Sequence, residues 1–318
     1  MVDILLLLAG FVALIFGADK LVDAASSLAT RFGIPNIVIG LTIVAFGTSA
    51  PEMVVNVIAA LDQKTEMVLG NVLGSNIFNV LAILGISALI FPLTVKTNTT
   101  WLEIPLSLLA AVTVFILAND VFLDGATANF ITRSEGLVLL LFFCIFLVYN
   151  LKIAQNTPNE EETETLLYTP LKATLFILLG LAGLIIGGQL IVTSATSMAV
   201  AFGLSERIIG LTIVSVGTSL PELATSIVAV RKRNVDIAIG NVVGSNIFNI
   251  FLVLGLSTII TPLPVLPTSM TDVVVNIGAS LLLFIFIFTG RGRRLSRWEG
   301  AVLLSLYIGY LALLIIQE

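Results

Sequence analysis

Residues 40–79 of this 318-residue chain are written a second time 170 positions later, at 210–249, without a gap and with twenty of the forty positions identical. The same shift pairs Gly10 with Gly180, Gly17 with Gly187 and Gly33 with Gly203, so the duplication reaches back through most of each half. A chain built this way folds as two copies of one unit. The unit is set by composition: 58 % of residues are hydrophobic and 11 % charged, against about 25 % charged in a soluble domain. Apolar stretches near 20 residues recur along the whole length, each long enough to cross a hydrocarbon core of about 30 Å as a helix. In lipid every backbone N–H and C=O must bond internally, which leaves helices or closed barrels. Barrel strands would alternate in polarity, and runs such as 281–288 do not.

Five spans fit each half, at about 3–29, 36–61, 66–92, 100–118 and 134–151, then 171–199, 206–230, 236–261, 270–289 and 297–316. The expected fold is therefore an all-α membrane protein of ten transmembrane helices, arranged as repeats 1–151 and 171–318. Five is odd, so the second half enters the membrane from the opposite side and the repeats are inverted. Between them, 152–170 reads as a polar, solvated linker with Glu160, Glu161, Glu162 and Glu164. The N-terminus lacks a positive leader region, so residues 4–16 read as part of the first span. Alternate loops hold Arg31, Lys96, Lys152, Lys172, Arg231, Lys232, Arg233, Arg291, Arg293, Arg294 and Arg297, while the other side holds Lys64, Arg133 and Arg207. By the positive-inside bias the first group and the linker are cytoplasmic, and both termini lie outside the cell membrane.

The chemistry sits in the second and seventh spans, which carry Gly47-Thr48-Ser49-Ala50-Pro51-Glu52 and Gly217-Thr218-Ser219-Leu220-Pro221-Glu222. Pro51 and Pro221 have no N–H to give the carbonyls of Gly47 and Gly217, and freed carbonyls at membrane depth are tolerated where they line a cavity or bind something. Glu52 and Glu222 fall deep within their spans, with no lysine or arginine near either in its own span or the next. A charged carboxylate at the centre of a membrane helix costs about 2.5–3.5 kcal/mol on insertion scales, so this pair requires a cation or protons. Thr48 shares a helix face with Glu52, Thr218 with Glu222, Ser75 with Asn79 and Ser245 with Asn249. The result is an all-oxygen donor set suited to hard cations such as Ca²⁺ or Na⁺. The chain has no histidine and a single cysteine, Cys144, which disfavours softer metals. Other polar residues have plainer readings. Asn76 and Asn246 suit helix–helix hydrogen bonding, Asn71 and Asn241 a cap or kink, Glu135 and Glu299 a favourable charge at a helix start, and Gly183 with Gly187 close helix packing.

The segments GTSAPE/GTSLPE and GNVLGSNIFN/GNVVGSNIFN resemble the paired α-repeats of the sodium/calcium exchanger family, in a short form without the regulatory insert of animal exchangers. The resemblance implies a central site between the second, third, seventh and eighth spans. In it Glu52 and Glu222 share Ca²⁺, helped by main-chain oxygens of Thr48 and Thr218. Ser49 with Ser75, Ser219 with Ser245, and the carbonyls of Ala45 and Ser215 complete flanking sodium sites, with Asn79 and Asn249 at the centre. Some members carry aspartate at one of the last two positions, so these asparagines weigh against potassium co-transport.

The expected function is secondary antiport of Na⁺ against Ca²⁺ by alternating access, carried out by one chain in the bilayer, with no cofactor, no nucleic-acid partner and no enzymatic activity. A Ca²⁺/H⁺ antiporter is the alternative, with protons taken up by the same glutamates. A channel fits less well, because carboxylates stand singly in each half instead of forming a ring. An intramembrane hydrolase fits less well because catalytic zinc recruits histidine.

Overall fold

The computed structural model describes residues 2–156, 167–201, 215–289 and 292–316. The linker carboxylates Glu160, Glu161, Glu162 and Glu164, the start of the expected seventh span with Arg207 and Gly210, and also Gly203 and Arg291, lie outside the described residues. In chain order, apart from a single turn at Asp120–Leu123, the helices are α1 (Val2–Phe32), α2 (Asn36–Thr48), α3 (Ala50–Leu61), α4 (Thr65–Ile90), α5 (Thr99–Leu117), α6 (Arg133–Asn156), α7 (Pro170–Ala201), α8 (Ser215–Thr218), α9 (Leu220–Arg231), α10 (Val235–Ile260), α11 (Pro267–Thr289) and α12 (Arg297–Ile316). Among the described residues eight helices are long and apolar enough to cross a bilayer, and α2 with α3 makes a ninth span bent by 46°.

The helix ends follow local chemistry. α1 stops at Gly33, whose φ of +64° suits the residue after a helix, and Ile34 N–H closes back onto Ala29 C=O at 2.9 Å. The turns after α3 and α9 repeat that closure in both halves. Gln63 and Arg233 take φ near +60°, and Lys64 N–H and Asn234 N–H reach Ala59 C=O and Ala229 C=O at 2.8 and 2.9 Å. Glu135 and Glu299 cap α6 and α12: their carboxylates accept from the backbone N–H of Thr132 and Ser296, each at 2.6 Å.

Two helices form the centre. Most of the apolar window of α10 (94 %) and of α4 (78 %) is enclosed by protein, against 17–39 % for the outer helices, whose leucines and phenylalanines face outward. Around this centre the contacts between halves come in reciprocal pairs. Two short antiparallel pairings tie Leu93 to Leu295 and Leu263 to Ile131, so each half supplies one strand of each kind. α1 and α7 pack together on one flank, where Gly10 and Gly17 meet Gly187 and Gly180. A Cβ on Gly17 would sit 2.7 Å from Gly180 C=O, and one on Gly187 would sit 2.7 Å from Gly10 C=O. Backbone meets backbone there, so the glycine spacing serves packing within the chain.

α1 carries charge where it meets the rest of the protein. Lys232, in the turn after α9, pairs with Asp19 at 2.6 Å and Asp23 at 2.7 Å, and Asn234 donates to Ser26 at 2.9 Å.

Gly17→Leu should disrupt the α1–α7 contact, because the added side chain meets backbone that cannot rotate away; overpacking costs about 1–3 kcal/mol. A clearly lowered unfolding temperature in detergent is expected, and an unchanged one would mean that the two helices do not pack at these glycines.

Candidate ion-binding site

The second span breaks at Ser49, where φ −82° and ψ 3° leave the helical range, and Pro51 begins the next helix. Ser219 does the same before Pro221, with φ −90° and ψ 7°. Proline is well accommodated in a first helical turn, so each motif ends one helix and starts another beside its glutamate. Glu52 and Glu222 consequently stand in the first turns of α3 and α9, each 1 % exposed. A carboxylate at a helix start gains from the unpaired N–H groups there, which partly offsets the cost of its burial.

Close helix crossings bring the two breaks together. A Cβ on Gly240 of α10 would lie 2.8 Å from Ile37 C=O of α2, an approach only glycine permits. Each carboxylate is then held by the opposite half. Ser49 Oγ donates to Glu222 Oε1 at 3.0 Å, and Ser219 Oγ donates to Glu52 Oε1 at 3.1 Å. Ser219 also lies 3.1 Å from Ser75 Oγ, and Ser245 Oγ reaches Glu222 Oε1 at 3.4 Å.

The asparagines form a second reciprocal set. Asn79 Nδ2 donates to Asn246 Oδ1 and Asn249 Nδ2 to Asn76 Oδ1, both at 3.0 Å. Asn76 and Asn246 each donate in turn to the other's main-chain carbonyl, at 3.2 and 3.3 Å. As expected, they are helix–helix bonds, and they fix which way the neighbouring amides face. Asn79 and Asn249 lie in π-helical segments, Phe78–Ile83 and Phe248–Leu254, the wider turns that recur at functional sites.

With the amide N–H groups so engaged, four oxygens at the centre of the site, Glu52 Oε2, Glu222 Oε2, Asn79 Oδ1 and Asn249 Oδ1, are among the buried oxygens with no partner among the described residues. All four are acceptors. A buried acceptor left alone costs about 1–3 kcal/mol, more when charged, so this set calls for a cation or a proton. No group of three or more His, Cys, Asp or Glu occurs among the described residues, and the donor set is two carboxylates with amide and hydroxyl oxygens, as hard cations prefer.

The remaining expected residues are less alike. Ala45 C=O accepts from Ser49 N–H at 2.9 Å and from Thr48 Oγ1 at 3.4 Å, keeping its oxygen at the break. Thr48 is fully buried and Thr218 half-buried. The backbone of Ser215 opens α8, four residues before Ser219. Asn71 and Asn241 are not caps. Asn241 stands within α10, accepts from Thr48 Oγ1 at 3.0 Å, and donates to Glu222 C=O at 3.2 Å and Ser226 Oγ at 3.1 Å. Their spacing carried the signal: 71, 75 and 79, like 241, 245 and 249, fall on one helix face. Two further acids went unnoticed in the sequence. Glu103 is buried against Tyr149, and Asp272 accepts from Tyr310, each bond 2.7 Å. Both stand near helix starts, where the sequence suggests contact with water.

A cavity of about 460 Å³ reaches the breaks from one side, lined among others by Pro51, Val55, Ile185, Gln189, Thr218 and Pro221. On the other side Ala18, Val22, Thr48 and Thr225, the counterparts of Gly188, Val192, Thr218 and Val55 in the cavity wall, are all 0–1 % exposed.

Comparison with known proteins gives a consistent result. The family described as sodium/calcium exchanger protein matches residues 2–152 and 172–316. Sodium/calcium exchanger MaX1 of Methanosarcina acetivorans is 36 % identical, with 98 % of each chain covered. The inner membrane protein YrbG of Escherichia coli is 39 % identical over 97 % of this chain and 95 % of its own. A solved structure of the sodium-calcium exchanger NCX_Mj, soaked without Na⁺ and Ca²⁺, superposes with a TM-score of 0.85 at 31 % identity, covering 98 % of this chain and 99 % of that one.

Replacing Asn246 by alanine removes the acceptor for Asn79 and the bond to Asn76 C=O. Loss of these buried bonds should cost about 1–3 kcal/mol, read as a lower unfolding temperature. Wild-type stability would show that the asparagine set does not hold the two halves together.

Proposed function

The chain belongs to the sodium/calcium exchanger family, and from that premise we propose that it exchanges Na⁺ for Ca²⁺ across the cell membrane by alternating access. The observation that carries this reading is the convergence of Glu52 and Glu222 from opposite halves, each leaving one oxygen without a partner among the described residues. Two carboxylates neutralise one Ca²⁺, and Asn79 Oδ1, Asn249 Oδ1 and loosened carbonyls at the breaks extend its oxygen shell. The main-chain oxygens of Thr48 and Thr218 help hold Ca²⁺, and Na⁺ competes for overlapping oxygens, with Ser49, Ser75, Ser219, Ser245 and the carbonyls of Ala45 and Ser215 as its ligands. Because the ions share oxygens they exclude one another, and that exclusion couples their flows. An unfilled pair of carboxylates repels itself in a low-dielectric site, which disfavours crossing the membrane barrier without cargo.

Ten spans in two inverted repeats, 1–151 and 171–318 joined by 152–170, account for the reciprocal contacts. The excess of arginine and lysine on one side supports a cytoplasmic linker with both termini outside. In that orientation the cavity beside Pro51 and Thr218 opens outward, and the packed side faces the cytoplasm. α1 and α7 are the elements that slide between states. Lys232, held by Asp19 and Asp23, then restrains the cytoplasmic side; the repeat counterparts of these three residues are Asp62, Gln189 and Thr193, which cannot form the same ion pairs. A single chain contains every residue of the site.

Purified protein in vesicles should take up ⁴⁵Ca²⁺ when Na⁺ is loaded inside, at clamped pH. Glu52→Gln and Glu222→Gln should abolish uptake. Glu135→Gln should leave it nearly unchanged, because the amide keeps an oxygen to cap α6. Uptake that follows a pH gradient and ignores Na⁺ would replace this reading with Ca²⁺/H⁺ exchange.

A further inference from the structure

Asn71 and Asn241 occupy the same place in the two repeats, yet their surroundings differ. On the packed side Asn241 is fully buried and ties three helices, with Thr48 of α2 at 3.0 Å and both the Glu222 carbonyl and Ser226 of α9 within 3.2 Å. On the cavity side Asn71 is half-buried, and its Oδ1 accepts a longer bond from Thr218 Oγ1 at 3.4 Å. The two bonds that repeat symmetry would add are unmade. Asn71 Nδ2 has no partner among the described residues, and neither has the Oδ1 of Asn56, the counterpart of Ser226. Asn56 instead turns its own amide onto the Glu52 carbonyl at 2.8 Å, the carbonyl whose counterpart Asn241 holds. An orphaned donor and an orphaned acceptor therefore stand at repeat-equivalent positions to a bond that exists on the closed side, next to the cavity.

From this difference we propose that Asn71 and Asn241 are paired positioning residues that close the two sides of the ion site in turn. When α3 moves in over the site, Asn71 Nδ2 donates to Asn56 Oδ1 and draws the Glu52 turn against Thr218, as Asn241 now draws the Glu222 turn against Thr48. When the other side opens, Asn241 lets go of Ser226. Neither amide is a cargo ligand; each fixes the turn that carries one. Two unsatisfied groups at the open side make that state less settled than one with both bonds made, and ion binding between the carboxylates supplies the pull that brings α3 in. The inference rests on the exchange reading above, since closure has a purpose only if the site carries ions across.

A cysteine reporter reads closure directly. In a Cys144→Ser background, Val55→Cys places a thiol in the cavity wall, and its labelling rate by a bulky, membrane-impermeant thiol reagent is measured with and without saturating Ca²⁺. Equilibrium binding of ⁴⁵Ca²⁺ is measured on the same samples. Ca²⁺ should slow labelling by about tenfold in the parent, a closed-state preference of about 1.4 kcal/mol. With Asn71→Ala added, Ca²⁺ should still bind while the slowing is lost, and Asn56→Ala should act the same way. Asn241→Ala should keep the slowing. Protection in Asn71→Ala equal to that of the parent overturns the proposal. A parent that binds Ca²⁺ but shows no slowing also overturns it and leaves the exchange reading standing, whereas a parent that does not bind Ca²⁺ overturns both.

Discussion

Each half of this protein buries a carboxylate and relies on the other half to hold it. Glu222 is bonded by Ser49, and Glu52 by Ser219. Among the described residues neither acid meets a lysine or arginine, so burial is offset only in part by serine hydroxyls and helix-start N–H groups. The rest of the architecture serves this arrangement. Glycines let α2 and α10 cross closely, prolines end one helix beside each acid and begin the next, and four asparagines lock the central pair of helices so that two amide oxygens are left without donors among the described residues.

An arrangement built from reciprocal contacts has two equivalent ways to be asymmetric, and the structure adopts one of them. The side lined by Pro51, Gln189 and Thr218 is open, while Ala18, Val22 and Thr225 fill the other. That is what a two-state transporter requires: two packings of similar free energy that expose one site alternately. The departures from symmetry are therefore as informative as the symmetry itself. The Lys232 ion pairs and the Asn241 contacts are present on the packed side, and at repeat-equivalent places on the open side the ion-pairing residues are replaced and the amide bonds unmade.

Much of this was legible in the sequence because both signals are periodic. Apolar length marks a membrane helix without reference to its neighbours, and the 170-residue repeat identifies Glu52 and Glu222 as a pair. Ser49, Ser75, Ser219 and Ser245 do gather around the two acids. Harder to read were residues whose role depends on which neighbour they meet. Asn71 and Asn241 follow glycines and so resemble kink residues, and only the crossing of α2 over α10 reveals that Asn241 reaches Thr48. Glu103 is the fifth residue of α5, near a helix start where a wetted interfacial acid would stand, and its burial depends on Tyr149 arriving from α6. The π-helical turns left no trace in local composition, and the ion pairing of Lys232 with α1 joins residues more than 200 positions apart.

The central claim is that a cation sits between the two glutamates. Anomalous diffraction from crystals equilibrated with Sr²⁺, a heavier stand-in for Ca²⁺, tests it most directly. One strong peak is predicted between the two side chains, about 2.3–2.6 Å from Glu52 Oε2 and Glu222 Oε2 by analogy with calcium–oxygen distances. Glutamate side chains turned onto protein donors, with the Sr²⁺ signal elsewhere or nowhere, would contradict it.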